Sequence, residues 1–171
     1  MLAMAAGMVD AAWDLYGDMR DNRTIRALHA GHDVAPRAGA DPRAILARAL
    51  FLTWRDHVME AEALEGSLAN TDKRLRSAYH FAIGNARMRA AYELIDVGKP
   101  SDAIPEVALA KRAYRAALHA DPGDFDAKVN LDIAMRLVRD MPREGEANEE
   151  EQDTRPRRVW TDLPGLPRGA P

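Results

Sequence analysis

Apolar and small residues recur at helical spacing along most of this chain, and short proline- and glycine-bearing stretches separate the runs. The clearest run opens at Lys73. Leu75, Tyr79, Ile83 and Ala86 fall on one face of it, while Arg74, Arg76, Arg87 and Arg89 fall mostly on others. Val97-Gly98-Lys99-Pro100 stops this helix, with Gly98 as its cap. Ser101 or Asp102 is expected to cap the next helix, with Pro105 in its first turn. Asp121-Pro122-Gly123-Asp124 turns the chain, and Asp124 caps a last helix through its carboxylate. That helix buries Ala127, Leu131, Ala134 and Val138 and stops before Pro142.

Upstream, Asp41-Pro42 opens a helix as N-cap plus first-position proline. Its buried stripe is expected to be Ile45, Leu46, Ala49, Leu50 and Trp54, with Trp54 in the core or a groove. Asp56-His57 turns into a second short helix that faces Ala61, Leu64 and Leu68 inward. Residues 21–32 read as helix around Ile25 and Leu28, and 34–40 as a loop. Residues 1–9 are apolar but far short of the roughly 20 needed to span a bilayer, and they lack the basic flank of a signal peptide. Two readings stand for them. One is an amphipathic helix with Met4, Met8, Ala12, Leu15 and Met19 on one stripe. The other is the trailing end of a membrane anchor, with Trp13 and Tyr16 at interfacial positions.

Small residues mark where helices approach closely. Ala78, Ala82, Ala86 and Ala90 form an i+4 ladder, and Gly84 sits beside it at a cost of about 1 kcal/mol of helix propensity. Ala110 and Ala117 supply small positions on the next helix, with Tyr114 as the large knob between them and Pro122 ending it. That is the order of residue types in a tetratricopeptide repeat, a helix-turn-helix unit of about 34 residues, here stretched by extra helix. Residues 42–70 read as a degenerate first repeat with Ala49 and Ala61 at the small positions. The fold expected is all-α: a right-handed stack of tetratricopeptide-like hairpins over residues 21–141. An N-terminal helix, 1–20, precedes it, and an extended, partly disordered tail, 142–171, follows it.

At 171 residues the chain suits one domain with tails. The absence of cysteine excludes disulfides, thiolate metal sites and a cysteine nucleophile. A net charge of −3 points to neither nucleic acid nor an anionic membrane as partner. Residues 144–153 are acidic and nearly without apolar side chains, a composition that favours disorder. Beyond them Trp160, Leu163 and Leu166 stand among prolines, which suits either a docking peptide or a segment folded back on the body. Trp54, Arg74 and Arg87 join those three as candidate partner-binding residues, because guanidinium pairs bidentately with carboxylate. A solvated basic face is the alternative for the arginines.

Catalytic signals are lacking. His29-x-x-His32-Asp33 has spacing that could hold a metal from one helical face, but Gly31 and the loop that follows weaken the geometry and no third His or Cys lies nearby. Glu60, Glu62 and Glu65 near His57 have no evident pocket. No phosphate-binding loop, His-Glu-x-x-His or Gly-x-Ser-x-Gly occurs. The expectation is a non-enzymatic protein with no metal and no cofactor of its own.

Tyr79-His80-Phe81-Ala82-Ile83-Gly84-Asn85-Ala86-Arg87-Met88-Arg89, then Ala110-Lys111-x-x-Tyr114-Arg115-x-Ala117-Leu118, then Asp121-Pro122-Gly123-Asp124-Phe125-Asp126-Ala127-Lys128-x-Asn130-Leu131, follow in an order that resembles the MxaK family of bacterial methanol-oxidation clusters. Trp160-x-Asp162-Leu163-Pro164-Gly165-x-Pro167-Arg168-Gly169 is also similar to that family. The resemblance implies a periplasmic, membrane-anchored accessory protein. Its role would be assembly or calcium insertion during maturation of a methanol dehydrogenase that uses pyrroloquinoline quinone. It implies partners among von Willebrand factor A-like proteins, a MoxR-type ATPase system and the dehydrogenase, and it carries no catalytic residues. His80 departs from the family's asparagine. A generic tetratricopeptide scaffold and a weak calcium carrier using 144–153 are the alternatives; that run lacks the alternating ligands and glycine turn of a calcium loop.

Overall fold

A computed structural model describes residues 2–140, with side chains from 15 onward except those of 138 and 140. Seven α-helices and no strand occur among the described residues. They are α1 (Leu2–His29), α2 (Pro42–Trp54), α3 (Val58–Glu62), α4 (Glu65–Leu68), α5 (Lys73–Asp96), α6 (Pro100–Ala120) and α7 (Phe125–Asp140). The all-α expectation therefore holds.

Local chemistry sets most of the helix ends. Asp41 accepts the Arg43 N–H through Oδ1 at 2.7 Å, Asp72 accepts the Arg74 N–H at 2.8 Å, and Asp124 accepts the Ala127 N–H at 3.0 Å. Gly98 adopts φ +76°. Its N–H donates to the Ile95 carbonyl and the Lys99 N–H to Leu94, closing α5 with a Schellman motif.

Two expectations about boundaries need correction. α6 starts at Pro100 with Lys99 as N-cap and no side-chain cap, so neither Ser101 nor Asp102 caps it and Pro105 lies inside the helix. Pro100 has the backbone angle of a first helical residue and lacks an N–H that would be unpaired there anyway. Pro105 withholds a hydrogen bond from the Ser101 carbonyl, and both residues are exposed. The single short helix after His57 is in fact two, α3 and α4. Tyr79 Oη donates to the carbonyls of Ala61 and Glu62 at 3.0 and 3.1 Å, occupying acceptors that a continuous helix would use.

α1 runs unbroken through residue 20, so no helix boundary falls there. Asp21, 4% exposed, anchors it. Its Oδ2 accepts from Arg37 Nη2 at 3.1 Å and from the Asp41 N–H at 2.8 Å, tying α1 to the start of α2. No helix among the described residues is long and apolar enough to cross a membrane.

α5 is the spine. It packs on α2, α3, α4, α6 and α7, most extensively on the antiparallel α6. One face joins Tyr79, Ile83 and Ala86 to Ala49, Leu52, Ala61 and Leu68. The other joins Met88 and Ala91 to Ala103, Val107, Ala110, Tyr114 and Ala134. The expected stripe of α2 also needs correction. Ala44, Ala49 and Leu52 are buried, Ile45 and Leu46 pack beside them, and Trp54 is 76% exposed. Trp54 lies two residues past Leu52, about 200° around the helix, and so on the side away from the core. On α7, Ala127 and Ala134 are buried and Leu131 packs against the core. The side chain of Val138 lies outside the described residues.

Candidate interaction groove

Asn85, Met88, Arg89 and Tyr92 stand at i, i+3, i+4 and i+7 of α5 and therefore share a face. With Tyr114 of α6, Asn130 and Ile133 of α7 and Trp54 of α2, they line a groove of about 430 Å³. Its floor is a three-helix hydrogen-bond junction. Tyr114 Oη donates to Asn85 Oδ1 at 2.8 Å, and Asn130 Nδ2 donates to the same oxygen at 2.8 Å. Both lone pairs of that oxygen are thereby engaged. The Asn85 amide nitrogen makes no hydrogen bond among the described residues, which leaves its two N–H donors for a ligand. Burial pushes the Tyr114 hydroxyl up to about 12, so it is a donor throughout the neutral range.

The walls are apolar and exposed. Trp54 is 76%, Tyr92 42% and Ile133 43% accessible. Arg89 places its guanidinium 5.4 Å from the centre of the Trp54 ring, a contact worth about 0.5–1 kcal/mol at an exposed site. The same guanidinium donates to the Thr53 carbonyl at the end of α2 and lies 3.9 Å from Asp56 Oδ1. Arg89 thus holds the indole at the edge of the groove.

On its other side Trp54 borders a second hollow of about 300 Å³, between the end of α1 and the outer face of α2. Leu28, Ala47, Leu50 and Phe51 supply apolar surface there, and His29 and Arg55 the polar rim. Arg48 and Arg55 lie 5.4 and 4.8 Å from the centre of the Phe51 ring. Arg55 Nη2 also donates to the Gly31 carbonyl at 3.2 Å.

Of the described residues expected to bind a partner, Trp54 lines this region and Arg74 and Arg87 do not. Arg87 is engaged within the body: its guanidinium meets both Glu62 oxygens at 2.8 and 2.9 Å and Glu106 Oε2 at 3.2 Å. Burial works against its charge. The hydrogen bonds and charges of Glu62 and Glu106 outweigh that and hold the group above its ordinary value. Arg74 is exposed on the first turn of α5 and is not among the groove residues. Trp160, Leu163 and Leu166 lie outside the described residues.

Of the expected packing set, Ala82, Gly84, Ala86, Ala110, Tyr114 and Ala117 are buried, Tyr114 lies against Gly84, and Pro122 is in the exposed turn after α6. His29 and His32 are exposed, and no group of three or more metal-ligating side chains occurs among the described residues. His57 Nδ1 contacts Glu60 at 2.7 Å on the open surface. Sequence reasoning did not single out Asn85, Tyr92, Asn130 or Ile133 for the groove. The available signal was the polar–aromatic spacing of Asn85, Arg89 and Tyr92 on one face of α5. Comparison with protein-family models, curated proteins and solved structures returns no match for this chain.

Proposed function

We propose that this chain is a non-catalytic adaptor that docks a segment of a partner protein in the groove between α2, α5 and α7. The observation that carries this reading is the groove itself: exposed Trp54, Tyr92 and Ile133 above a polar floor whose Asn85 donors have no acceptor among the described residues. Clustered aromatic and aliphatic side chains beside a few fixed polar groups are what a recognition site requires.

The finer reading treats α2–α4 and α5–α6 as tetratricopeptide-like hairpins. The fit of Tyr114 against Gly84 supports it, since that is the large-on-small contact the motif calls for. The resemblance of 79–131 and 160–169 to MxaK then supports a role in maturing a methanol dehydrogenase that uses pyrroloquinoline quinone, through assembly or calcium insertion, in the periplasm. The partners would be the dehydrogenase, von Willebrand factor A-like proteins and the MoxR-type ATPase system.

Affinity capture from a methanol-grown methylotroph tests both levels. Recovery of the dehydrogenase or its accessory proteins by the full chain, lost with Trp54→Ala and Tyr92→Ala, is the expected result. Recovery that is indifferent to both substitutions would remove the groove from the proposal. Recovery of none of these proteins would remove the maturation role.

A further inference from the structure

We propose that the two hollows flanking Trp54 form one docking surface for an acidic peptide segment carrying a bulky apolar side chain. This rests on the groove reading above and names the chemistry of the partner. The chain as a whole is acidic, with net charge −3. The two hollows depart from that average: their linings contain Arg55, His29 and Arg89 and no aspartate or glutamate. Two other hollows on the body carry an excess of carboxylates: Asp18, Asp21 and Asp41 against Arg43 in one, and Glu62 and Glu65 against Arg112, with His80 beside them, in the other. Of these four hollows, the two beside the exposed aromatic surface are the ones whose linings carry arginine without a carboxylate.

The cations are also positioned. Arg55 lies over Phe51 and Arg89 over Trp54, and each donates to a backbone carbonyl, of Gly31 and Thr53 respectively. A carbonyl orients a guanidinium without cancelling its charge. Arg48, by contrast, is paired with Asp33 and contributes little net charge. Among the described residues, Asp56 is the carboxylate within ion-pair distance of Arg89. Its separation of 3.9 Å and its 69% exposed side chain make this pair a weak, water-screened one. A peptide carboxylate in one hollow would meet the Arg55 guanidinium and in the other that of Arg89, where the Asn85 N–H groups are further donors.

The apolar half of the match is Trp54, which walls both hollows. Leu28, Leu50 and Phe51 lie to one side of it and Met88, Tyr92 and Ile133 to the other. A large apolar side chain seated in either hollow would lie against the indole, with its neighbouring acidic residues within reach of Arg55 or Arg89.

The test is selection of random short peptides displayed on phage against the full chain. Two enriched peptides are then titrated by fluorescence anisotropy against the wild type, Trp54→Ala, Arg89→Lys and the double variant Arg55→Glu/Arg89→Glu. Circular dichroism checks each fold, and Arg55→Glu alone, at an exposed position, substitutes if the double variant is unfolded. The expected result is enrichment of peptides pairing Asp or Glu with Trp, Phe or Leu. Their affinity should fall about tenfold or more in the glutamate variant and in Trp54→Ala and be largely kept in Arg89→Lys. Enriched peptides without acidic residues, lost in Trp54→Ala but indifferent to charge reversal, would overturn the acidic partner and leave the groove reading intact. No enrichment, or binding indifferent to all the variants, would overturn both.

Discussion

Gly84 and Tyr114 are in direct contact across the α5–α6 pair: a Cβ built on Gly84 would lie 2.5 Å from Tyr114 Cε1 and 2.7 Å from Cδ1. Tyr114 is 1% exposed, and its hydroxyl is held by Asn85, one residue beyond the glycine. The ring therefore lies flat against the α5 backbone, and the same ring forms part of the groove floor.

Gly84→Ala should destabilise the protein even though alanine is the better helix former. Overpacking typically costs about 1–3 kcal/mol, against a propensity gain of about 1 kcal/mol. Urea unfolding should show a net loss of up to about 2 kcal/mol. The double variant Gly84→Ala/Tyr114→Leu should lose less than the sum of its parts, because the smaller side chain makes room for the methyl group. Strict additivity would show that the contact is not tight.

Arg87→Met should destabilise by about 1–3 kcal/mol, between the values for exposed and buried ion pairs. Its side chain is 15% exposed, and the substitution leaves Glu62 and Glu106 facing each other without a cation. Replacing all three with Met, Leu and Leu should recover most of the loss in a thermal melt. Failure to recover would mean that the network contributes more than the avoidance of unpaired charge.

Alkaline pH should unfold the protein through its buried tyrosines. Burial raises Tyr114 from the ordinary 10.0 to about 12 and moves Tyr79 in the same direction, with Glu65 and Glu62 adding to the effect on Tyr79. The folded state therefore holds protons that the unfolded chain releases. Stability is undiminished below about pH 10 and falls between pH 10 and 12 as the unfolded tyrosines ionise first. Urea midpoints measured at pH 8, 10 and 11 should decline only above 10, and Tyr114→Phe should flatten that decline. A flat wild-type profile would contradict the assignment.

Asp124 joins two elements at once. Oδ1 caps α7 at the Ala127 N–H, and Oδ2 accepts from Ser77 Oγ at 2.6 Å on α5. Asp124→Ala removes the cap and strands the hydroxyl of Ser77, a buried residue, so about 1–3 kcal/mol should be lost. Asp124→Asn should lose less than half as much, because its carbonyl still caps the helix. Hydrogen exchange should show the first turn of α7 fraying in the alanine variant alone.

The residues themselves determined the elements with a local cause. Proline at the start of α2, aspartate caps, Gly98 at the end of α5 and the Asp121–Asp124 corner act within a few residues, and all are legible in order. So is the small-residue surface of α5, because a mid-helix glycine carries a propensity cost that a close neighbour offsets. The tertiary structure alone decided what depends on partners distant in the chain. Tyr79 reaches back 18 residues to Ala61 and divides one expected helix into two. Arg87 is drawn from a presumed binding face to Glu62, 25 residues away. Trp54 leaves the core because Ala49 and Leu52 present a different arc of α2 to α5. Helical periodicity shows which residues share a face, but only packing shows which face remains open, and the groove belongs to that second kind of information.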